Sequence, residues 1–124
     1  RPEPNKAEVM NIIGDVNGST CIMIDDIIDT GGTLMAGANA LKEAGAKEVY
    51  AAATHGVLTS NATERLQNSV INEIIITDTI YLDPAKNQPK LKQLSIGALL
   101  GEAIIHILQD EPISQIFNRI QEDQ

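Results

Sequence analysis

The feature that most constrains this chain is a single junction. Thr20-Cys21-Ile22-Met23-Ile24 is a short apolar run that stops at Asp25-Asp26. After Ile27-Ile28 come Asp29-Thr30-Gly31-Gly32-Thr33, and then a helical pattern. The apolar residues do not alternate with polar ones, which predicts a strand over 20–24 buried on both faces, as in a parallel sheet between helices. Over 33–44, Leu34, Ala38 and Leu41 recur at helical spacing, Lys42 and Glu43 face outward, and Gly45 supplies the stop. Strand, glycine turn and helix in this order make the first half of a right-handed β-α-β crossover.

The remaining chain continues the alternation. Residues 49–54 predict a second buried strand, 62–67 a short helix, and 73–77 a third strand. A polar loop follows over 84–89, then a fourth strand over 91–96. The next helix, from about 98 to 108, carries Leu99, Ala103 and Ile107 on one side. The fold class expected is therefore α/β, with a mainly parallel central sheet flanked by helices. Upstream, residues 8–14 are read as an edge strand or an irregular arm. The Gly14 and Asn17-Gly18 turns around Asp15-Val16 predict a hairpin into the first central strand. Residues 110–124 form a polar, acidic tail. Ile113, Ile116, Phe117 and Ile120 are spaced there as on a short docking helix, another subunit being a candidate partner.

Composition narrows the function. A length of 124 residues suits a single domain, 1–124, around one core. Nine Lys/Arg against seventeen Asp/Glu give a net charge of −8, and only Tyr50, Tyr81 and Phe117 are aromatic. That balance argues against nucleic acid and anionic membranes as partners. Cys21 cannot form an internal disulfide, nor a zinc site with His55 and His106, and a reducing, cytoplasmic setting is expected. The most apolar stretch, 96–108, is broken by Glu102 and His106 and is too short to span a bilayer. With no initiator Met and no signal-peptide pattern, the opening Arg1-Pro2-Glu3-Pro4-Asn5 reads as the start of a piece of a longer protein.

Ligands of open α/β sheets bind beyond the carboxyl ends of the strands, where Asp25 to Thr33 would lie. Gly31 and Gly32 permit a close backbone approach, and successive amides at a helix N-terminus suit a phosphate. The Thr30 and Thr33 hydroxyls add donors. Asp25, Asp26 and Asp29 would repel a phosphate but accept hydrogen bonds from neighbouring hydroxyls or hold a cation. Together these residue types describe a sugar phosphate. The plainer reading is an ordinary strand–turn–helix link in which Asp and Thr only cap the helix. Seven specified residues coinciding at Asp25, Asp26, Asp29, Thr30, Gly31, Gly32 and Thr33 favour the ligand.

Asp25 to Thr33 resembles the ribose-phosphate loop of the type I phosphoribosyltransferase fold. Wider segments are more specific: Arg1-Pro2-Glu3-Pro4-Asn5, Ala7-Glu8-Val9-Met10-Asn11-Ile12-Ile13-Gly14, the stretch from Ala40 to Tyr50, and Ala53-Thr54-His55-Gly56-Val57-Leu58. These resemble the ribose-phosphate pyrophosphokinases (phosphoribosyl pyrophosphate synthetases), in their carboxy-terminal part and as far as about Phe117. The resemblance implies transfer of the diphosphoryl group of Mg-ATP to the C1 hydroxyl of ribose 5-phosphate, giving phosphoribosyl pyrophosphate and AMP. It assigns the 5-phosphate to Asp29, Thr30, Gly31, Gly32 and Thr33, and the ribose hydroxyls to Asp25 and Asp26. It makes Arg1 a catalytic residue in a mobile loop, stabilising charge on the transferring phosphoryl oxygens and contacting the substrates. Magnesium is implied as cofactor, its His and Asp ligands expected mainly before Arg1, together with the adenine-binding residues. The isolated piece is accordingly expected to be inactive, and the family's hexamers imply a homo-oligomer.

The chain departs from the family pattern at three places. Gly31 stands where Ala is more usual, which should be tolerated. Thr59-Ser60-Asn61-Ala62 replaces Ser-Gly-Pro-Ala. Pro112 replaces the first Ser of a regulatory Ser-x-Ser-x-x-Phe, which puts ADP inhibition in doubt. Two other functions share the loop: a nucleobase phosphoribosyltransferase, and a non-catalytic, synthetase-associated regulatory subunit. Among further residues, His55 is read as a packed or hydrogen-bonded strand-end histidine rather than a catalyst. His106 is read as exposed or interfacial, and Cys21 as an inert core residue. Lys86, Lys90 and Lys92 are read as a solvated loop, and Asp78-Thr79 as a loop turn.

Overall fold

The computed structural model describes residues 12–122. The chain divides into two compact units, one ending at Leu94 and the other beginning at Ser95.

In the first unit the order is β1 (Thr20–Ile28), α1 (Gly32–Glu43), β2 (Glu48–Gly56), α2 (Ala62–Gln67), β3 (Glu73–Thr77) and β4 (Leu91–Leu94), with a 3₁₀ turn at Pro84–Lys86 before the last strand. The four strands form one parallel sheet in the order β1-β2-β3-β4. Sheet order repeats chain order, so right-handed crossovers bring the connecting helices to the same face. There Leu34 and Ala38 of α1, with Ala62 and Leu66 of α2, pack on Val49, Ala51, Ala53, Ile74 and Ile76 in one core. Small residues on β2 let α1 approach closely, and Ile74 and Ile76 of β3 add bulk to this core, while Ile75 faces the other side.

The structure corrects several expectations. β1 does not end before the acidic pair but runs four residues further, because its ladder with β2 continues through Asp25↔Ala53, Ile27↔His55 and Ile28↔Gly56. The two carboxylates are exposed, so carrying them in a strand entails little desolvation. Nor is β1 buried on both faces: Ile22 is 67% and Ile24 83% exposed, since the helices of this unit cover the other side. The fourth strand stops at Leu94 rather than at residue 96. No hairpin precedes β1 among the described residues. Asp15 instead accepts the Asn17 amide at 2.9 Å, and the Gly18 amide reaches the Gly45 carbonyl at 2.8 Å. The edge-strand or arm reading of 8–14 falls largely outside the described residues. The lysine loop is only partly solvated, for Lys86 donates to the Leu58 carbonyl and Lys90 to that of Ser69, each at 2.9 Å.

The second unit holds α3 (Gly97–Leu108) and α4 (Ser114–Glu122). The expected short amphipathic helix is present as α4, with Ile116 buried while Ile113, Phe117 and Ile120 remain substantially exposed. Arg119 pairs with Glu102, and His106 Nδ1 donates to the Pro112 carbonyl at 3.1 Å. No helix among the described residues is long and apolar enough to cross a membrane.

Candidate functional site

The carboxyl ends of β1, β2 and β3 bring the chemistry-bearing residues of the first unit to one rim of the sheet. At the end of β1, Asp25 accepts the Asp26 amide and Asp26 accepts the Ile27 amide, both at 2.8 Å. The Asp26 carboxyl is held below its ordinary 3.8, first by the neighbouring Asp25 carboxyl and then by the Ile27 amide, with a smaller contribution from the charge on His55. Beside Asp25, an open groove of about 240 Å³ runs over the uncovered face, lined by Ile24, Ala52, Thr54, Ile75 and Thr77.

The turn after β1 is built around a left-handed glycine. Gly31 is the N-cap of α1 with φ 80°, and it makes no side-chain cap. A Cβ there would also lie 3.3 Å from Leu66 Cδ2. Thr30 Oγ1 sits 3.4 Å from the Gly32 amide, a long and weak contact. The first turn of α1 carries no acidic residue. The reading in which Asp and Thr serve only to cap this helix therefore finds little support: the cap is glycine, and the Asp29 carboxylate is engaged elsewhere. What remains is a helix start whose leading amides lie outside the helical ladder, with Thr30 and Thr33 exposed beside them.

Three residues that sequence reasoning passed over complete the rim. Thr59, in the β2–α2 loop, donates from Oγ1 to Asp29 Oδ1 at 2.8 Å, and its amide donates to the Asp29 carbonyl at 3.1 Å. Thr79, which the sequence placed in a plain loop turn, lies 2.7 Å from His55 Nδ1. Thr77 Oγ1 donates to the Thr54 carbonyl at 2.6 Å. His55 is thus hydrogen-bonded at its strand end, as expected. The signal that could have found these residues is position alone: each lies at or just after the end of a parallel strand. Arg1 lies outside the described residues. Asp25 and Asp26 lie within β1, and Asp29, Thr30, Gly31, Gly32 and Thr33 follow in the turn and the first residues of α1.

A family model for the phosphoribosyl synthetase-associated domain matches residues 2–118. The chain belongs to that family. It is 53% identical over 118 residues to the ribose-phosphate pyrophosphokinase of Bacillus subtilis, a match covering 95% of this chain and 37% of the relative. Ribose-phosphate pyrophosphokinase 2 of Enterococcus faecalis is 51% identical over 117 residues, covering 94% of this chain and 36% of its own. Among solved structures, the phosphoribosylpyrophosphate synthetase from Mycobacterium smegmatis superimposes with a TM-score of 0.77 at 46% identity, over 79% of this chain and 33% of that one. The type I phosphoribosyltransferase-like α/β fold is as expected. This synthetase-family chain spans little more than a third of the length of the relatives it matches.

Proposed function

We propose that this chain supplies the ribose 5-phosphate half of a ribose-phosphate pyrophosphokinase. The observation that carries the reading is the rim itself: an acidic pair in the last residues of β1, which ends at Ile28, is followed by a glycine-capped helix start, in a chain of the synthetase family. The 5-phosphate would lie against the amides of Gly31, Gly32 and Thr33, with the Thr30 and Thr33 hydroxyls beside them. Asp25 and Asp26, both exposed, would accept hydrogen bonds from the ribose hydroxyls and orient C1.

In the reaction proposed, the C1 hydroxyl oxygen bonds to the β-phosphorus of Mg-ATP. The bond from that phosphorus to the α,β-bridging oxygen breaks, AMP departs, and the hydroxyl proton is released. Arg1 would neutralise charge on the transferring group, since such transfers depend mainly on positioning and cations. Magnesium enters with ATP. Among the described residues no group of three or more His, Cys, Asp or Glu could hold a metal ion, and each carboxylate of the acidic pair is turned onto a main-chain amide. No step is therefore assigned to a metal held by these residues, and the piece alone is expected not to release AMP. Self-assembly is part of the reading, supported by the half-exposed Phe117 on α4.

Titrating the chain with ribose 5-phosphate while following its amide resonances tests the binding half. The expected result is saturable movement of Gly31, Gly32 and Thr33, weakened about tenfold or more by Thr33→Ala through loss of a charge-assisted hydroxyl contact to the phosphate. Movement confined to other parts of the chain would dispose of the assignment. In a chain of the relatives' length carrying this segment, the same substitution should raise KM for ribose 5-phosphate more than it lowers kcat.

A further inference from the structure

The β2–α2 loop holds an unusual backbone. Leu58 has φ 53° and Ser60 φ 55°, so two non-glycine residues in the left-handed region flank Thr59. Such conformations persist only where surrounding structure over-determines them. Here the anchors are visible. The Leu58 side chain is 1% exposed in the core, and its carbonyl accepts Lys86 Nζ at 2.9 Å. The Val57 and Leu58 amides both donate to the Ile28 carbonyl, at 3.0 and 3.1 Å, and the Thr59 amide donates to the Asp29 carbonyl at 3.1 Å. One loop is thereby stitched onto the last residues of β1 and the first of the glycine turn.

Within that seam the Thr59 hydroxyl does something the backbone contacts do not: it donates to Asp29 Oδ1 at 2.8 Å. Thr59 and Asp29 are both exposed, so this bond adds little to folding. Its effect is on where a negative charge sits. A free carboxylate two residues before Gly31 could swing across the amides meant for a phosphate and repel the anion. Held by Thr59, it is drawn toward the neighbouring loop, and part of its charge is offset by the hydroxyl dipole.

We propose that Thr59 is a positioning residue for sugar-phosphate binding, its hydroxyl holding the Asp29 carboxylate against the β2–α2 loop and out of the anion's place. The inference rests on the reading of the glycine turn as a ribose 5-phosphate site and deepens it. The hydroxyl is the necessary part of the side chain: serine will serve and valine, of the same shape, will not.

The test measures ribose 5-phosphate affinity of the whole chain for Thr59→Val, Thr59→Ser, Asp29→Asn and Asp29→Asn/Thr59→Val. Thr59→Val should bind about tenfold more weakly, with Thr59→Ser close to the unsubstituted chain. In the Asp29→Asn background the added Thr59→Val change should have little further effect, because the charge it controlled is gone. Equal affinity for Thr59→Val, or the same loss in both backgrounds, would overturn the proposal. A second reading needs no ligand: Thr59→Val should shift the amide resonances of Asp29, Thr30 and Gly31 while Thr59→Ser leaves them in place. Resonances unmoved by valine defeat the tether. An unsubstituted chain that ignores ribose 5-phosphate defeats instead the site on which the tether is argued to act.

Discussion

Gly31 carries two constraints at once, a left-handed φ of 80° and a Leu66 side chain 3.3 Å from where its Cβ would be. Gly31→Ala should therefore cost about 1 kcal/mol from the left-handed backbone, read as a lower urea midpoint at unchanged slope. An unchanged midpoint would mean that the turn relaxes to accept a Cβ. Asp26 offers a test by titration. Its folded value is depressed, chiefly by the Asp25 carboxyl, so its contribution is present above the unfolded carboxylate value and is lost as pH falls through the lowered one. Side-chain carboxyl NMR should find Asp26 titrating below 3.8, and Asp25→Ala should move it back up. Observation of Asp26 at or above that value contradicts the arrangement. At this scale the string from Asp25 to Thr33 was legible because its residue types name their own chemistry. Thr59 was not, since its partner lies thirty positions away in the chain and close only in space.

Among the elements, α2 and β3 match their expected bounds of Ala62–Gln67 and Glu73–Thr77. Asn61 and Asn68 punctuate the helix, and three consecutive isoleucines have little alternative to a strand. β1 was harder. A charged pair ordinarily closes an apolar run, yet the ladder to β2 holds the backbone extended as far as Ile28. Lack of alternation also states only that both sides of a strand are apolar, not that both are covered. The difference is measurable. Ile76→Ala, at a side chain 1% exposed, should cost about 2–5 kcal/mol through lost burial and a cavity. Ile24→Ala, at one 83% exposed, should cost about 0.5 kcal/mol or less. Comparable losses at both would show that the outer face is covered in solution.

For the molecule as a whole, that outer face and the net charge of −8 act in opposition. Exposed Ile22, Ile24 and Leu94 favour association, while like charge keeps copies apart until salt screens it. Sedimentation velocity should show self-association that grows with protein concentration and is stronger at about 1 M salt, where the screening length is about 3 Å. A single monomeric boundary throughout would rule this out. The strand order has a kinetic consequence of its own. Each strand's neighbour in the sheet is also its neighbour along the chain, so among the described residues no later strand has to insert between two that have already paired. Assembly can advance from the amino end as the polypeptide leaves the ribosome, each new crossover closing a short loop onto a finished edge.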